Sequence, residues 1–392
     1  MKAVDELVKQ PGAWLRVGQN TGIIVSSRVR LARNISGRLF PDRAGEEESI
    51  RLLRDLEPVL RRLMTCADPI VLEISALNRV EKEILIERHL MSRDLAEKGK
   101  GSALVLKRDE SIAIMVNEED HIRMQAMSPG LNLRNLWKEI DAVDSEIEAG
   151  FDLPASAGPP PPPEATELRR AGAGCATFLR PPEQASRRRE AGYAFSPQLG
   201  YLTSCPTNVG TGIRASVMLH LPGLVLMNEI NSILKAVNKI GLAVRGLWGE
   251  GSDAAGNMFQ ISNQMTLGET EQVILERLEK IVLEIDEHEK NSRLRLLEQK
   301  ENQLRDHFGR AIGILTHAHL LNSKETLDML SALRLGLELG LVSGWPRAVI
   351  DELFVLTQPG HLQKLEGKFI GSEKRDLARA KLIREKLLGK HV

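Results

Sequence analysis

Three cysteines, Cys66, Cys175 and Cys205, are all that 392 residues supply, and their unrelated spacings form neither a disulfide framework nor a zinc-ligand pattern. That scarcity suits a reducing compartment. A surplus of one charge is missing too: 53 Lys plus Arg stand against 53 Asp plus Glu, so no global field favours nucleic acid or an anionic membrane. No apolar run approaches the ~20 residues that span a bilayer, and the N-terminus, MKAVDELVKQ, lacks the apolar stretch of a signal peptide. The expectation is a soluble, cytoplasmic protein with no nucleic-acid or membrane partner. There is also no GxxxxGK followed by Ser or Thr, and no HRD or DFG set, which excludes the P-loop and the eukaryotic-type kinase phosphate site.

What is present is organised around Cys205, in the stretch CPTNVGTGIRASVMLHLPG. Gly210 and Gly212 let the backbone turn sharply and approach a ligand closely. The alternation that follows makes a strand with Arg214, Ser216, Met218 and His220 on one face and Ala215, Val217, Leu219 and Leu221 on the other. A cation thus stands one short loop from a thiol. Taken alone, the same pattern fits a buried cysteine and a surface arginine.

The chain is long enough for two domains. Ile23 to Leu31 reads as a strand that places Arg28 and Arg30 on one face, where they repel unless an anion sits between them; a solvated basic edge is the plainer reading of two arginines by themselves. A helical pattern over 45–65, a strand at PIVLEIS and a helix through Glu81 to Met91 carrying His89 follow. Ala103 to Asn117 fits a hairpin turning at Lys107 to Ser111. Its second strand runs into Asn117-Glu118-Glu119-Asp120-His121, with Arg123 beyond as a counter-charge for three adjacent acids.

After a helical stretch to about Glu148 the composition changes. Residues 151–190 hold Pro159 to Pro163 and Arg187-Arg188-Arg189 but few large apolar side chains, the composition of a disordered or polyproline-type insert. Leu242 to Leu247 reads as a strand entering Trp248-Gly249-Glu250-Gly251-Ser252, an acid on a glycine-flanked loop, followed by a strand at 257–263. From Glu269 a helical pattern, capped by Thr266 or Thr270, persists to the C-terminus, so an all-helical domain begins near 270–300. Its last helix contains Arg375-Asp376-Leu377-Ala378-Arg379-Ala380, with Arg375 and Arg379 at i and i+4 on one face and Asp376 available to engage part of their charge.

Together, SSRVRLARN, VNEEDHIR, CPTNVGTGIRASVMLHLP and RGLWGEGS followed by FQISNQ resemble the ATP:guanido phosphotransferases over most of the chain. The metabolic members carry a helical domain ahead of the first arginine motif, for which this sequence has no room. Its C-terminal helical region, and RDLARA within it, instead resemble the branch that phosphorylates arginine in proteins, where an RDxxRA motif forms a phosphoarginine pocket. The insert at 151–190 departs from the family pattern.

The resemblance implies an α+β fold: an antiparallel sheet flanked by helices over residues 1–270, then an α-helical regulatory domain over 271–392. It implies transfer of the ATP γ-phosphoryl group to arginine side chains, with Mg²⁺ and no protein metal site. Glu119 matches the catalytic base, Glu250 the second carboxylate that clamps the guanidinium, and Cys205 a thiol that positions it. The nucleotide contacts carry over to Ser26, Ser27, Arg28, Val29, Arg30, His89, Arg123, Arg214, Ala215, Ser216, Val217, Met218, Arg245, Gly246, Leu247, Trp248, Gly249 and Glu250. The phosphoarginine pocket carries over to Arg375, Asp376, Leu377, Ala378, Arg379 and Ala380. Implied partners are proteins with exposed arginines, a small zinc-binding activator of the McsA type, a Clp ATPase–protease and a stress-response repressor, and the resemblance leaves room for a homo-oligomer. The alternatives are a free-arginine kinase and a catalytically silent phosphoarginine-binding adaptor.

Overall fold

The computed structural model describes residues 2–8, 12–15, 22–152, 192–246 and 254–389. Its strands are β1 (Ile24–Arg33), β2 (Ile70–Glu73), β3 (Ala103–Leu106), β4 (Ile112–Val116), β5 (Ile122–Pro129), β6 (Phe195–Ser196), β7 (Gly200–Tyr201), β8 (Ile213–His220), β9 (Leu242–Gly246) and β10 (Met258–Asn263). Eight of them form one sheet in the order β2-β3-β4-β5-β1-β8-β10-β9, every neighbouring pair antiparallel. β6 and β7 make a separate small hairpin.

Strand alternation sends the two sheet faces to different partners. Val29, Leu31, Ile114, Met124, Ala215, Val217 and Ile261 are buried in a core with Leu52 and Leu56 of the helix Glu46–Leu60, Ile140 and Ile147 of the helix Leu133–Asp152, and Ile274 and Leu278 of the helix Glu271–His317. Met127, Met218 and Met258 point the other way, into a second core with Leu327 and Leu330 of the helix Ser323–Glu338 and Phe354 of the helix Arg347–Leu356. The arginine-bearing face is thus covered at one end by C-terminal helices and left for chemistry at the other.

The helix Glu271–His317 starts where the sequence places a cap: Thr270 Oγ1 accepts from Val273 N at 3.3 Å. Its first turns complete the sheet's helical layer, whereas Leu304, Phe308 and Ala311 pack with Ala332 and Leu335. Between the two parts, Lys300 leaves helical geometry at φ −139° and ψ 28°, a kink.

A polar cluster joins β8 to the C-terminal helices. The buried His220 ring lies 2.8 Å from Arg334 Nη1 through Nδ1 and 2.8 Å from Ser331 Oγ through Nε2. Arg334 can only donate, so Nδ1 accepts and Nε2 carries the proton. Burial, then Arg334 and Arg293, hold this imidazole neutral, well below its usual pKa. Arg334 itself is fully buried and paired with Asp351 at 2.7 Å.

The helix Leu133–Asp152 runs past the expected end near Glu148 and takes the first two residues of the proline-rich insert. From residue 153 the insert lies outside the described residues.

Candidate active site

Five arginines from four strands share one sheet face. Arg30 on β1 stands directly opposite Arg214 on β8, and Gln125, beside Arg30 on β5, points to the same face two residues along from Arg123. Arg28 lies opposite Ser216, and Arg245 on β9 opposite Gln260 on β10. Among the described residues no carboxylate pairs with Arg28, Arg30 or Arg214. Arg28 reaches Ser216 Oγ at 3.4 Å and Gln260 Oε1 at 3.3 Å, both long for hydrogen bonds. Nε of Arg30 and Nε of Arg214 are buried without a hydrogen-bond partner.

The electrostatics follow from that crowding. Burial, then Arg123 and Arg214, bring Arg28 down to about 10. Arg30 is lowered by burial and then by Arg28, Arg123 and Arg214, and Arg214 by burial and then by Arg245 and Arg123. Like charges held together with unsatisfied donors destabilise a fold unless an anion completes them. A polyphosphate meets each requirement: negative charge, several acceptor oxygens, and a length that spans adjacent strands.

His89 borders this face. It follows the helix Arg79–Glu87, adopts a left-handed φ of 59°, and its carbonyl accepts from Gln125 Nε2 at 2.7 Å. Burial and then Arg28 push its imidazole down to about 3. Trp14 meets the ring edge-on at 5.1 Å.

The acids are sorted by Arg123. Its Nη1 holds Glu118 Oε1 at 2.8 Å and its Nη2 holds Glu119 Oε2 at 2.6 Å. The Glu118 side chain is 0% exposed and that of Glu119 36%, so Glu118 anchors the arginine while Glu119 faces the open site. Burial opposes the charge on Arg123, but Glu118, Glu119 and Asp120 outweigh it and raise its pKa. Asn117 makes the turn possible at φ 56°, a conformation its side chain tolerates better than most.

Buried Asp120 ties this turn to the cysteine loop. Its Oδ1 accepts from Asn34 Nδ2 and from Ser204 N, each at 2.7 Å. Cys205 follows immediately, half-buried, with Sγ 3.0 Å from Thr207 Oγ1. Cys205 and Glu119 both act on Arg214 toward its charged form, which puts the thiol and the carboxylate within electrostatic reach of that guanidinium.

Gly210 and Gly212 let the backbone turn sharply, as expected. Both are left-handed, at φ 112° and 67°. A Cβ on Gly210 would come 2.3 Å from Thr266 O, and one on Gly212 2.7 Å from Ala32 O. At both positions the missing side chain makes room for the chain's own backbone.

The other sequence-derived positions divide by face. Val29, Ala215 and Val217 point into the helix-side core with Ser27, whose Oγ donates to Gly130 O at 2.6 Å. Ser26, Ser216 and Met218 share the arginine side. Gly246 ends β9, and Leu247, Trp248, Gly249 and Glu250 lie outside the described residues. In the helix Ser372–Leu388, Arg379 spends its guanidinium on Thr357 O at 2.8 Å, Leu321 O at 2.7 Å, Asp376 Oδ1 at 2.5 Å and Ser323 Oγ at 2.9 Å, while Arg375 is half-buried and Leu377 exposed. Ala380 is fully buried, and Asp376 and Ala378 are partly exposed. Sequence reasoning did not single out Gln260, Asn34 or Asp120 as site-building residues; the alternation of β10 could have found Gln260.

The model for the ATP:guanido phosphotransferase C-terminal catalytic domain matches residues 68–292, and that for the protein-arginine kinase McsB C-terminal domain matches residues 301–391. The chain is 39% identical to a protein-arginine kinase of Desulforamulus reducens over 98% of each chain. It is 41% identical to one of Halalkalibacterium halodurans over 95% of this chain and 94% of that one. The crystal structure of lombricine kinase superposes with a TM-score of 0.53 at 21% identity, covering 73% of this chain and 75% of that chain, a likeness of fold. The chain belongs to the ATP:guanido phosphotransferases and, within them, to the protein-arginine kinases.

Proposed function

We propose that the protein performs arginine phosphorylation at the space bounded by Arg30, Arg214, Glu119 and Cys205, with ATP on the arginine face. The observation that carries this is the set of arginines without carboxylate partners, Arg28, Arg30 and Arg214, on one sheet face beside Glu119, a carboxylate held by Arg123. A guanidinium has a pKa above ~12 and a delocalised lone pair, so it is a poor nucleophile until it is oriented and loses a proton. Glu119 accepts that proton as the acceptor nitrogen forms its bond to the γ-phosphorus and the bridging P–O bond breaks, releasing ADP. The arginines take up the negative charge on the transferring group and on the leaving ADP. Cys205 orients the planar acceptor without forming a covalent bond to phosphorus, and Glu250 serves as the second clamp.

Among the described residues no group of three His, Cys, Asp or Glu side chains is placed to hold a metal ion. Mg²⁺ would come bound to the nucleotide, whose phosphate oxygens and water suit it, and would offset charge on the transferring group.

The phosphoarginine reading of residues 375–380 is supported by the match of the C-terminal family model and by Arg375 lying on the outer part of its helix. The Lys300 kink, between the two matched segments, is where we place the domain division, rather than at residue 270. Cytoplasmic location, a zinc-binding activator, Clp-dependent degradation of marked proteins, control of a stress repressor and self-association rest on the family resemblance. Among the described residues, no helix is long and apolar enough to cross a membrane.

The deciding experiment is incubation of the purified protein with ATP and an arginine-rich protein, followed by mass spectrometry for acid-labile phosphate on arginine. Phosphate on arginine only when free arginine is supplied would favour a metabolic kinase, and none at all would favour a silent adaptor.

A further inference from the structure

The surface beside Cys205 is unusual for this chain. From Gly192 to Ile213, 22 consecutive residues include no Asp, Glu, Lys, Arg or His, in a sequence that is 27% charged. Residues 254–268 carry no charge either. The first stretch folds back on itself, Tyr201 N donating to Gly210 O at 2.8 Å, and lies beside the second, with Thr211 N donating to Thr266 O at 3.1 Å. Thr266 Oγ1 then fastens the loop after Cys205, donating to Val209 O at 2.7 Å. Along this strip Phe195, Leu199, Met265 and Leu267 are 51%, 47%, 61% and 47% exposed. Phe195 is braced by Tyr201, ring centroids 5.3 Å apart. Scattered apolar surface residues need no explanation, but four on adjoining uncharged segments make a patch.

We propose that this rim docks apolar side chains flanking the acceptor arginine of a protein substrate. The proposal rests on the arginine-kinase reading, because a guanidinium approaching Cys205 carries its neighbouring residues across the rim. An uncharged surface cannot select acidic or basic flanks, and it gains only from burying carbon. The rim therefore acts on binding of the polypeptide and leaves phosphoryl transfer itself untouched.

The test uses two synthetic peptides with one arginine each, flanked by Leu and Phe in one and by Gly and Ser in the other, with an arginine-rich protein as control. Covering on the order of 50 Å² of apolar surface favours the first peptide by about tenfold in kcat/KM, at ~25 cal/mol per Å². The difference should lie in KM. The double variant Leu199→Ser, Leu267→Ser should keep the wild-type rate on the Gly/Ser peptide and lose the preference. Equal kcat/KM for both peptides in the wild type, a preference that survives the double variant, or phosphorylation of the control but of neither peptide would each overturn the rim. Failure to phosphorylate even the control would instead overturn the catalytic reading beneath it.

Discussion

Arg30 and Arg214 stand as direct cross-strand partners on β1 and β8, and neither has a carboxylate partner among the described residues. Like charges opposite each other destabilise a sheet. Replacing Arg30 with Met keeps the aliphatic volume and removes one charge. The ligand-free Arg30→Met variant should melt higher than wild type, by a few degrees if the relief is about 1 kcal/mol. The same variant should lose most of the melting-temperature rise that ATP gives the wild type. A lower melting point without ligand, or an undiminished ATP shift, would show that these arginines are held by something other than an awaited anion.

Glu118 and Glu119 are adjacent in sequence but should behave oppositely. Glu119→Gln should lose ~10²–10⁴ in kcat with little change in melting temperature or ATP affinity. Glu118→Gln leaves Arg123 without its buried partner and should chiefly lower stability, by about 3 kcal/mol. Denaturant melts alongside single-turnover rates separate the two. Full turnover by Glu119→Gln would transfer the role of base elsewhere.

His89 makes acid a specific stress. Its folded-state pKa is lowered from 6.5 to about 3, by burial and then by Arg28. The neutral form is therefore the native one. Its contribution is fully present above the unfolded value and is lost as pH falls from 6.5 toward 3, at about 1.4 kcal/mol per pH unit. His89→Asn suits the left-handed φ of 59° and should flatten the pH dependence of the urea midpoint between 6.5 and 4 by roughly one proton. Some slope will remain, since His121 and His220 are lowered as well. An unchanged slope would mean that His89 is protonated in the native state.

Arg375 and Arg379 also separate. Arg379→Ala leaves the carbonyls of Leu321 and Thr357 without a buried donor and should lower stability by about 2–4 kcal/mol. Arg375→Ala should leave the melting curve unchanged and weaken phosphoarginine binding to the folded protein. Calorimetry with phosphoarginine on the Arg375 variant is the clean measurement, because the Arg379 variant would mix unfolding with lost recognition. Undiminished affinity would remove Arg375 from the pocket.

Much of this was legible in the sequence for identifiable reasons. Period-two alternation is a local signal, so β1, β4, β8 and β10 could be read, with Arg28 and Arg30 on one face of β1 and Arg214 on one face of β8, whereas the coincidence of those faces depends on the register. The cap at Thr270 is equally local. Illegible were properties that depend on distant chain. Nothing near Arg379 announces that residues 321, 323 and 357 will surround it. Nothing near Asp120 announces Asn34 and Ser204. Alternation places Ser27, Val29, Ala215 and Val217 on the face opposite Arg28, Arg30 and Arg214, a division that a motif carried over as a continuous run does not express.

The second core has a practical consequence for anyone dissecting the protein. Met127, Met218 and Met258 of the sheet share it with Leu327, Leu330 and Phe354, all from beyond the Lys300 kink. A fragment ending at the kink would expose methionines and leucines from the underside of the sheet to water, next to strand backbone. Such a fragment should come out of expression as aggregate. Dividing the enzyme into halves for separate assay therefore requires co-expressing both, so that the missing helices can cover the sheet as it folds.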